Sequence, residues 1–280
     1  MIVIQPVGRL GNHMFQFAFG YAMSKRLKTK FIFNTSLLEE YFELGTYNNP
    51  IKKRVRNLRY KFSLKFNKYS SIDLNRFIHP KEIMDELKDN QIIYGYFQSE
   101  LFWVEYKKQI RNNFTFQSKF KDYFKEKYHS VLSQPYICLN MRLAEDYKNW
   151  IVNELGDNGE KVMLPIEYYK KVLRICTEKY KEYKIVITAD DINMSKSIFF
   201  DNENIIYSND AKYKIVIDYL LISNANVVIA SNSSFCWWAC YLSTIEEKVI
   251  YAPKYWLGHK VKLEYPAKII PNDWIQIEVD

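Results

Sequence analysis

The chain has 280 residues, 48% of them hydrophobic, with 40 Lys and Arg against 32 Asp and Glu and a net charge of +8. That apolar content excludes a disordered chain, and the length predicts one large or two medium domains. The positive charge suits an anionic ligand, an anionic membrane surface or nucleic acid. No segment reaches the roughly 20 apolar residues that span a bilayer, and the N-terminus lacks the basic start of a signal peptide.

Residues 2–7 read as a buried strand stopped by Gly8. Gly8 to Asn12 reads as a tight turn, followed by a helix over about 13–27 and a second strand over 30–33. A strand, glycine turn, helix and strand in that order mark an α/β fold. Within 51–70 there are eight Lys or Arg and no acid. Over 60–66, apolar and polar residues alternate. Two readings stay open there: an edge strand guarded by lysines, or a surface for anionic lipid or an acidic acceptor. Residues 92–97 read as another strand.

The second half alternates strand and helix with short connections. Strands are expected at 136–141, 184–188, 227–230 and 248–251, and helices at 165–180, 213–224 and 234–244. This pattern predicts a parallel sheet covered on both faces. The boundary is expected near 128–135, giving domains 1–130 and 131–280. Cys138, Cys176, Cys236 and Cys240 fit no zinc spacing and read as buried free thiols in a reducing, cytoplasmic setting. The four histidines are scattered, so no metal site is expected.

Three strand ends in the second half carry polar residues: Asn140 and Arg142, then Asp190 and Asp191, then Ser231 to Ser234. In a parallel sheet these tips share one edge. Arg, Ser hydroxyls and the free N–H groups of a helix start would grip phosphate there, and Asp would serve as base or ribose contact. The plain alternative is that Ser233 only caps a helix and Trp237 and Trp238 only fill core. Neither a P-loop nor a GxGxxG is present, which argues against a Walker NTPase or an ordinary NAD site.

Several of these segments together resemble one family. Gly8-Arg9-Leu10-Gly11-Asn12-His13-Met14-Phe15-Gln16 resembles a GGLGNQMFQ opening, and Gly95 to Glu100 a GYFQSE segment. Leu164 to Tyr169, Thr188 to Asp191, Ser231 to Trp238 and Ala252 to Trp256 resemble its P-x-x-YY, S-D-D, NSSFSWW and AP-x-x-W motifs. The family is the bacterial α-1,2-fucosyltransferases, glycosyltransferase family 11. The resemblance covers most of the chain. It implies a GT-B-like α/β fold of two Rossmann-like domains with mainly parallel sheets. It also implies inverting transfer of L-fucose from GDP-fucose to a galactoside hydroxyl without metal or other cofactor.

By the same resemblance, the donor contacts are Gly11, Asn12, His13, Asn140, Arg142, Asp190, Asp191, Asn232, Ser233, Ser234 and Phe235. Arg142, Glu145 and Asp146 become the catalytic candidates, and the N-terminal domain the acceptor side. The chain departs from the family's HxRRxDY motif: Asn140 stands at the His and Leu143 at the second Arg. That leaves open another GDP-deoxyhexose, such as GDP-colitose, or a weakened nucleotide-binding relative. A nucleic-acid-binding protein is a further class raised by charge and aromatics, but no recognisable motif supports it, and no nucleic-acid partner is expected. The expected partner is a glycan or lipid-linked oligosaccharide acceptor of surface-glycan synthesis, with peripheral membrane contact through 51–70.

Overall fold

The computed structural model describes residues 1–45, 54–55, 58, 61–62, 70–74, 78–156, 158–199 and 204–280. The chain divides into two compact units: 1–117 with 267–269, and 118–266 with 270–280. The division falls at Ser118, ahead of the 128–135 expected from sequence.

In the first unit, β1 (Ile2–Ile4) leads through the Gly8 turn into α1 (Leu10–Arg26), then β2 (Phe31–Ile32) and α2 (Ser36–Glu39). After β3 (Ser70–Asp73), α3 (Pro80–Glu86) and β4 (Gln91–Tyr94), α4 (Lys107–Asn113) follows. The strands pair in the order β2-β1-β4-β3, all parallel. Helix α1 is buried along most of its length, with Phe15, Phe17 and Phe19 essentially inaccessible. Phe19 stacks on Phe97 at 3.7 Å.

The strand expected over 92–97 ends at Tyr94. Gly95 at φ +156° and Phe97 at φ +52° turn the chain away from extended geometry. The turn delivers the Phe97 ring to Phe19. Most of the basic 51–70 segment, including Lys65 and Lys68, lies outside the described residues. Lys61 and Phe62 within it have helical backbone, which contradicts an edge strand at those two positions.

The second unit opens with α5 (Ser118–Lys127) and α6 (His129–Leu132). Strand β5 (Tyr136–Met141), α7 (Glu145–Lys148) and the hairpin β6 (Ile151–Val152) and β7 (Glu160–Lys161) come next. Then follow α8 (Ile166–Lys179), β8 (Lys184–Ala189), α9 (Ile192–Phe199), β9 (Ile205–Tyr207) and α10 (Lys214–Asn224). The unit closes with β10 (Val227–Ile229), α11 (Ser234–Tyr241), β11 (Val249–Pro253) and β12 (Ile275–Ile277). The main sheet runs β12-β11-β10-β5-β8-β9, every pair parallel. This is the doubly wound Rossmann order, with strand direction of travel reversing between β5 and β10. Both strands are fully buried because helices cover both faces.

Two contacts made by lysine ammonium groups fasten helices to this sheet. The Asp210 carboxylate accepts from Lys127 Nζ at 2.8 Å and Tyr123 Oη at 3.0 Å, tying α5 to the loop after β9. These ties, with Phe120 edge-on to Tyr213, explain why 118–127 belongs to the second unit. Lys248 Nζ donates to the carbonyls of Ile222, Ser223 and Ala225, satisfying orphan acceptors at the end of α10. All four cysteines are free and buried. Among the described residues, no helix is long and apolar enough to cross a membrane.

Candidate functional site

In the Rossmann order, ligands sit outside the carboxyl ends of the strands at the switch point, here β5 and β10. A chain of hydrogen bonds closes that edge. Ser231 Oγ donates to Asn140 Oδ1 at 2.6 Å, and Asn140 Nδ2 donates to Thr188 Oγ1 at 3.0 Å. The tips of β10, β5 and β8 are thereby held in register. Asn140 and Ser231 are buried, with their side-chain polar groups engaged in this chain.

Arg142 follows β5 directly. Its guanidinium pairs with Asp190, lies 3.6 Å from Asp146, and stacks over the Tyr147 ring at 5.0 Å. The Asp190 carboxylate also accepts from the backbone N–H groups of Leu143, Ala144 and Asp191, at 2.6, 3.1 and 3.1 Å. Asp190 therefore shapes the loop that carries Arg142. Asp191 caps α9 by accepting from Met194 N at 2.9 Å. Leu143, at the position of the family's second Arg, is buried in the core.

The loop from β10 into α11 divides into buried and available groups. Asn232 is buried; its Nδ2 donates to Val162 O at 2.7 Å, and its Oδ1 lies 2.8 Å from Tyr147 Oη. Ser233 stands at the N-cap, yet among the described residues its side chain makes no capping hydrogen bond. Ser233, Ser234 and Phe235 are half-buried. The hydroxyl of Ser233 and the unpaired N–H groups of the first helical turn are thus available to an anion.

Buried tyrosines support this rim. Tyr168 Oη donates to Ala230 O at 3.1 Å, and Tyr169 Oη accepts from Arg142 N at 3.5 Å. Burial pushes the hydroxyls of Tyr147, Tyr168 and Tyr169 well above the usual tyrosine range. They act as neutral hydrogen-bonding groups. Glu145 is 75% exposed and engaged with Lys148 and Asn149, whereas Asp146 stays beside Arg142.

The first unit holds the remaining expected contacts. Gly8 has φ +81°, and a Cβ there would lie 2.2 Å from Asn12 Nδ2. The turn therefore requires glycine. Gly11 is buried in the first turn of α1, and Asn12 Oδ1 accepts from Gln98 Nε2 at 2.8 Å. His13 packs edge-on to Phe33, and burial lowers its pKa despite the opposing Gly8 carbonyl. Sequence reasoning missed Gln16. Its buried carboxamide bonds Val7 N and O, each at 3.2 Å, and Gly95 O at 3.0 Å. It joins the segments that follow β1 and β4. A single Gln inside the apolar run from Met14 to Phe19 was the available signal.

Known proteins are similar to this chain. The O-antigen biosynthesis glycosyltransferase WbnK of Escherichia coli is 23% identical, covering 96% of this chain and 98% of that protein. An alpha-1,2-colitosyltransferase of Escherichia coli is 26% identical, covering 99% of each. The crystal structure of POFUT1 in complex with GDP superposes with a TM-score of 0.54 at 13% identity, covering 90% of this chain and 96% of that one. That likeness shows the fold, which is α/β, GT-B-like and built of two Rossmann-like units. The model of glycosyl transferase family 11 matches residues 1–278, and with the motif order and the switch-point site it establishes that the chain is a glycosyltransferase belonging to that family.

Proposed function

We propose that the protein transfers L-fucose from GDP-fucose to a galactoside hydroxyl, with inversion and an α-1,2 linkage, in surface-glycan synthesis. The observation that carries this reading is the switch point itself. Arg142 and the open N-terminus of α11 flank the carboxyl ends of β5 and β10. The POFUT1 relative holds GDP, and the curated relatives are named for O-antigen synthesis and colitose transfer.

The chemistry follows from charge. The bond between sugar C1 and the β-phosphate oxygen breaks, and its electron pair stays on the phosphate. Arg142, Ser233, Ser234 and the α11 N–H groups stabilise that charge, which is the work a metal does elsewhere. The acceptor oxygen attacks C1 from the opposite face, and its proton passes to a carboxylate. Asp146, beside Arg142, is better placed than Glu145 for that step.

A second reading is favoured by one observation. Leu143 and Asn140 are spent on core and strand closure, so two donor-binding groups of the family motif are missing. A donor needing fewer contacts, GDP-colitose, which lacks the 3-hydroxyl of fucose, then fits. Calorimetry with GDP, followed by turnover of both GDP-sugars, separates the readings. Absence of any heat with millimolar GDP would overturn both. The acceptor role of the first unit and a peripheral position at the inner membrane face belong to the same proposal.

A further inference from the structure

The chain has six tryptophans. Five are buried, at 5% exposure or less, and Trp150 alone is open, at 41%. An exposed indole offers a large, rigid aromatic face to a ligand, and here that face lies next to the candidate site. Trp150 sits in the turn after α7, three residues beyond Tyr147, and its N–H donates to Tyr147 O at 3.2 Å. Its ring packs on the Tyr147 ring at 5.6 Å, and that same ring carries the Arg142 guanidinium at 5.0 Å. Tyr147 is buried and hydrogen-bonded to Asn232, so the indole is held at a fixed place beside the candidate site.

We propose that Trp150 is the stacking platform for the acceptor sugar, taking the apolar face of a β-galactoside. This rests on the galactoside-transfer reading above and deepens it, adding a contact from the second unit to the acceptor role proposed for the first. In β-galactopyranose the axial 4-hydroxyl leaves the C–H bonds at C3, C4 and C5 on one face. Those weakly positive hydrogens suit the negative face of an indole. Stacking by that face leaves the 2-hydroxyl at the ring edge, free to react. Charge argues against a membrane instead. Segment 145–161, which bears Trp150, holds five carboxylates and two lysines, and would be repelled by anionic lipid.

Because Trp150 is the one exposed tryptophan, acrylamide quenching of protein fluorescence reads it selectively. Lactose or methyl β-D-galactopyranoside should protect that fluorescence, and Trp150→Phe should remove the protectable fraction. Kinetically, Trp150→Ala should raise the KM for lactose about tenfold while GDP affinity and kcat change less than about twofold. Trp150→Phe should recover much of the loss. Unchanged KM in Trp150→Ala, no protection by either galactoside, or protection by anionic phosphatidylserine vesicles in their place would overturn the proposal. Quenching needs no donor. A protein that protects Trp150 with galactoside yet ignores GDP-sugars would refute the transfer reading and not this one.

Discussion

Arg142 is the one arginine in the stretch that aligns with the family's donor motif, so no neighbour can take over its work. Arg142→Lys keeps the charge but loses the planar fork and the stacking on Tyr147. Transfer is expected to fall roughly 100-fold, on the order of 3 kcal/mol of transition-state stabilisation. The fold should survive, because Asp190 keeps three backbone donors when the guanidinium is gone. Steady-state kinetics beside a thermal melt checks both halves, and near-normal turnover would remove Arg142 from the mechanism.

Ser233 offers a complementary test. An ordinary Ser N-cap contributes about 1 kcal/mol to stability. Among the described residues Ser233 makes no capping bond to lose, so Ser233→Ala should leave the melting temperature nearly unchanged. GDP affinity should drop about tenfold, the worth of one hydrogen bond to a charged oxygen. Loss of stability with unchanged GDP binding would make Ser233 a mere helix start.

At the scale of elements, α5 is held to the second unit by Asp210. Burial alone would raise this carboxyl. Hydrogen bonds from Lys127, Tyr213 N, Tyr123 and Lys212 N more than offset that and hold it down at about 2. A carboxyl lowered in the fold stabilises above its unfolded pKa, and that contribution fades as pH falls from about 4 toward 2. Lys127 is half exposed, so the contribution is discounted to roughly 1 to 2 kcal/mol. Asp218, whose carboxyl burial raises, works in the opposite sense, so the comparison is made between variants. Asp210→Asn should melt a few degrees below the parent at pH 7, with the gap closing toward pH 2. A gap independent of pH would contradict the ion-pair account.

Which elements the sequence revealed depends on how local their signal is. Strand β5 matched its expected bounds because an apolar run, broken only by Asn140, lies between Pro135 and Arg142. Strands β3 and β12 were missed: they are three or four residues long and largely exposed, too short for a period to stand out. The strand order arises from pairings between distant residues, which no local pattern encodes. The site was legible to the level of strand ends and no further. Asn140, Asp191 and Asn232 have the residue types of ligand contacts, yet their side chains hold strands, a helix start and a loop in place. Polar residues serve both purposes, and only geometry separates them.

For the whole molecule, the proposed reading predicts metal independence, because it assigns the leaving phosphate to protein donors. EDTA should leave transfer within about twofold of the untreated rate, since arginine and helix N–H groups supply the charge stabilisation. An obligate requirement for Mg²⁺ or Mn²⁺ would contradict that assignment.

The central claim is that this chain moves a deoxyhexose from GDP with inversion onto a galactoside. It is tested most directly by nuclear magnetic resonance of the product formed from GDP-fucose and a β-galactoside. The account predicts stoichiometric GDP release and a new α-linked fucose on galactose O2. A β-linked product would contradict it, as would no transfer from either GDP-fucose or GDP-colitose.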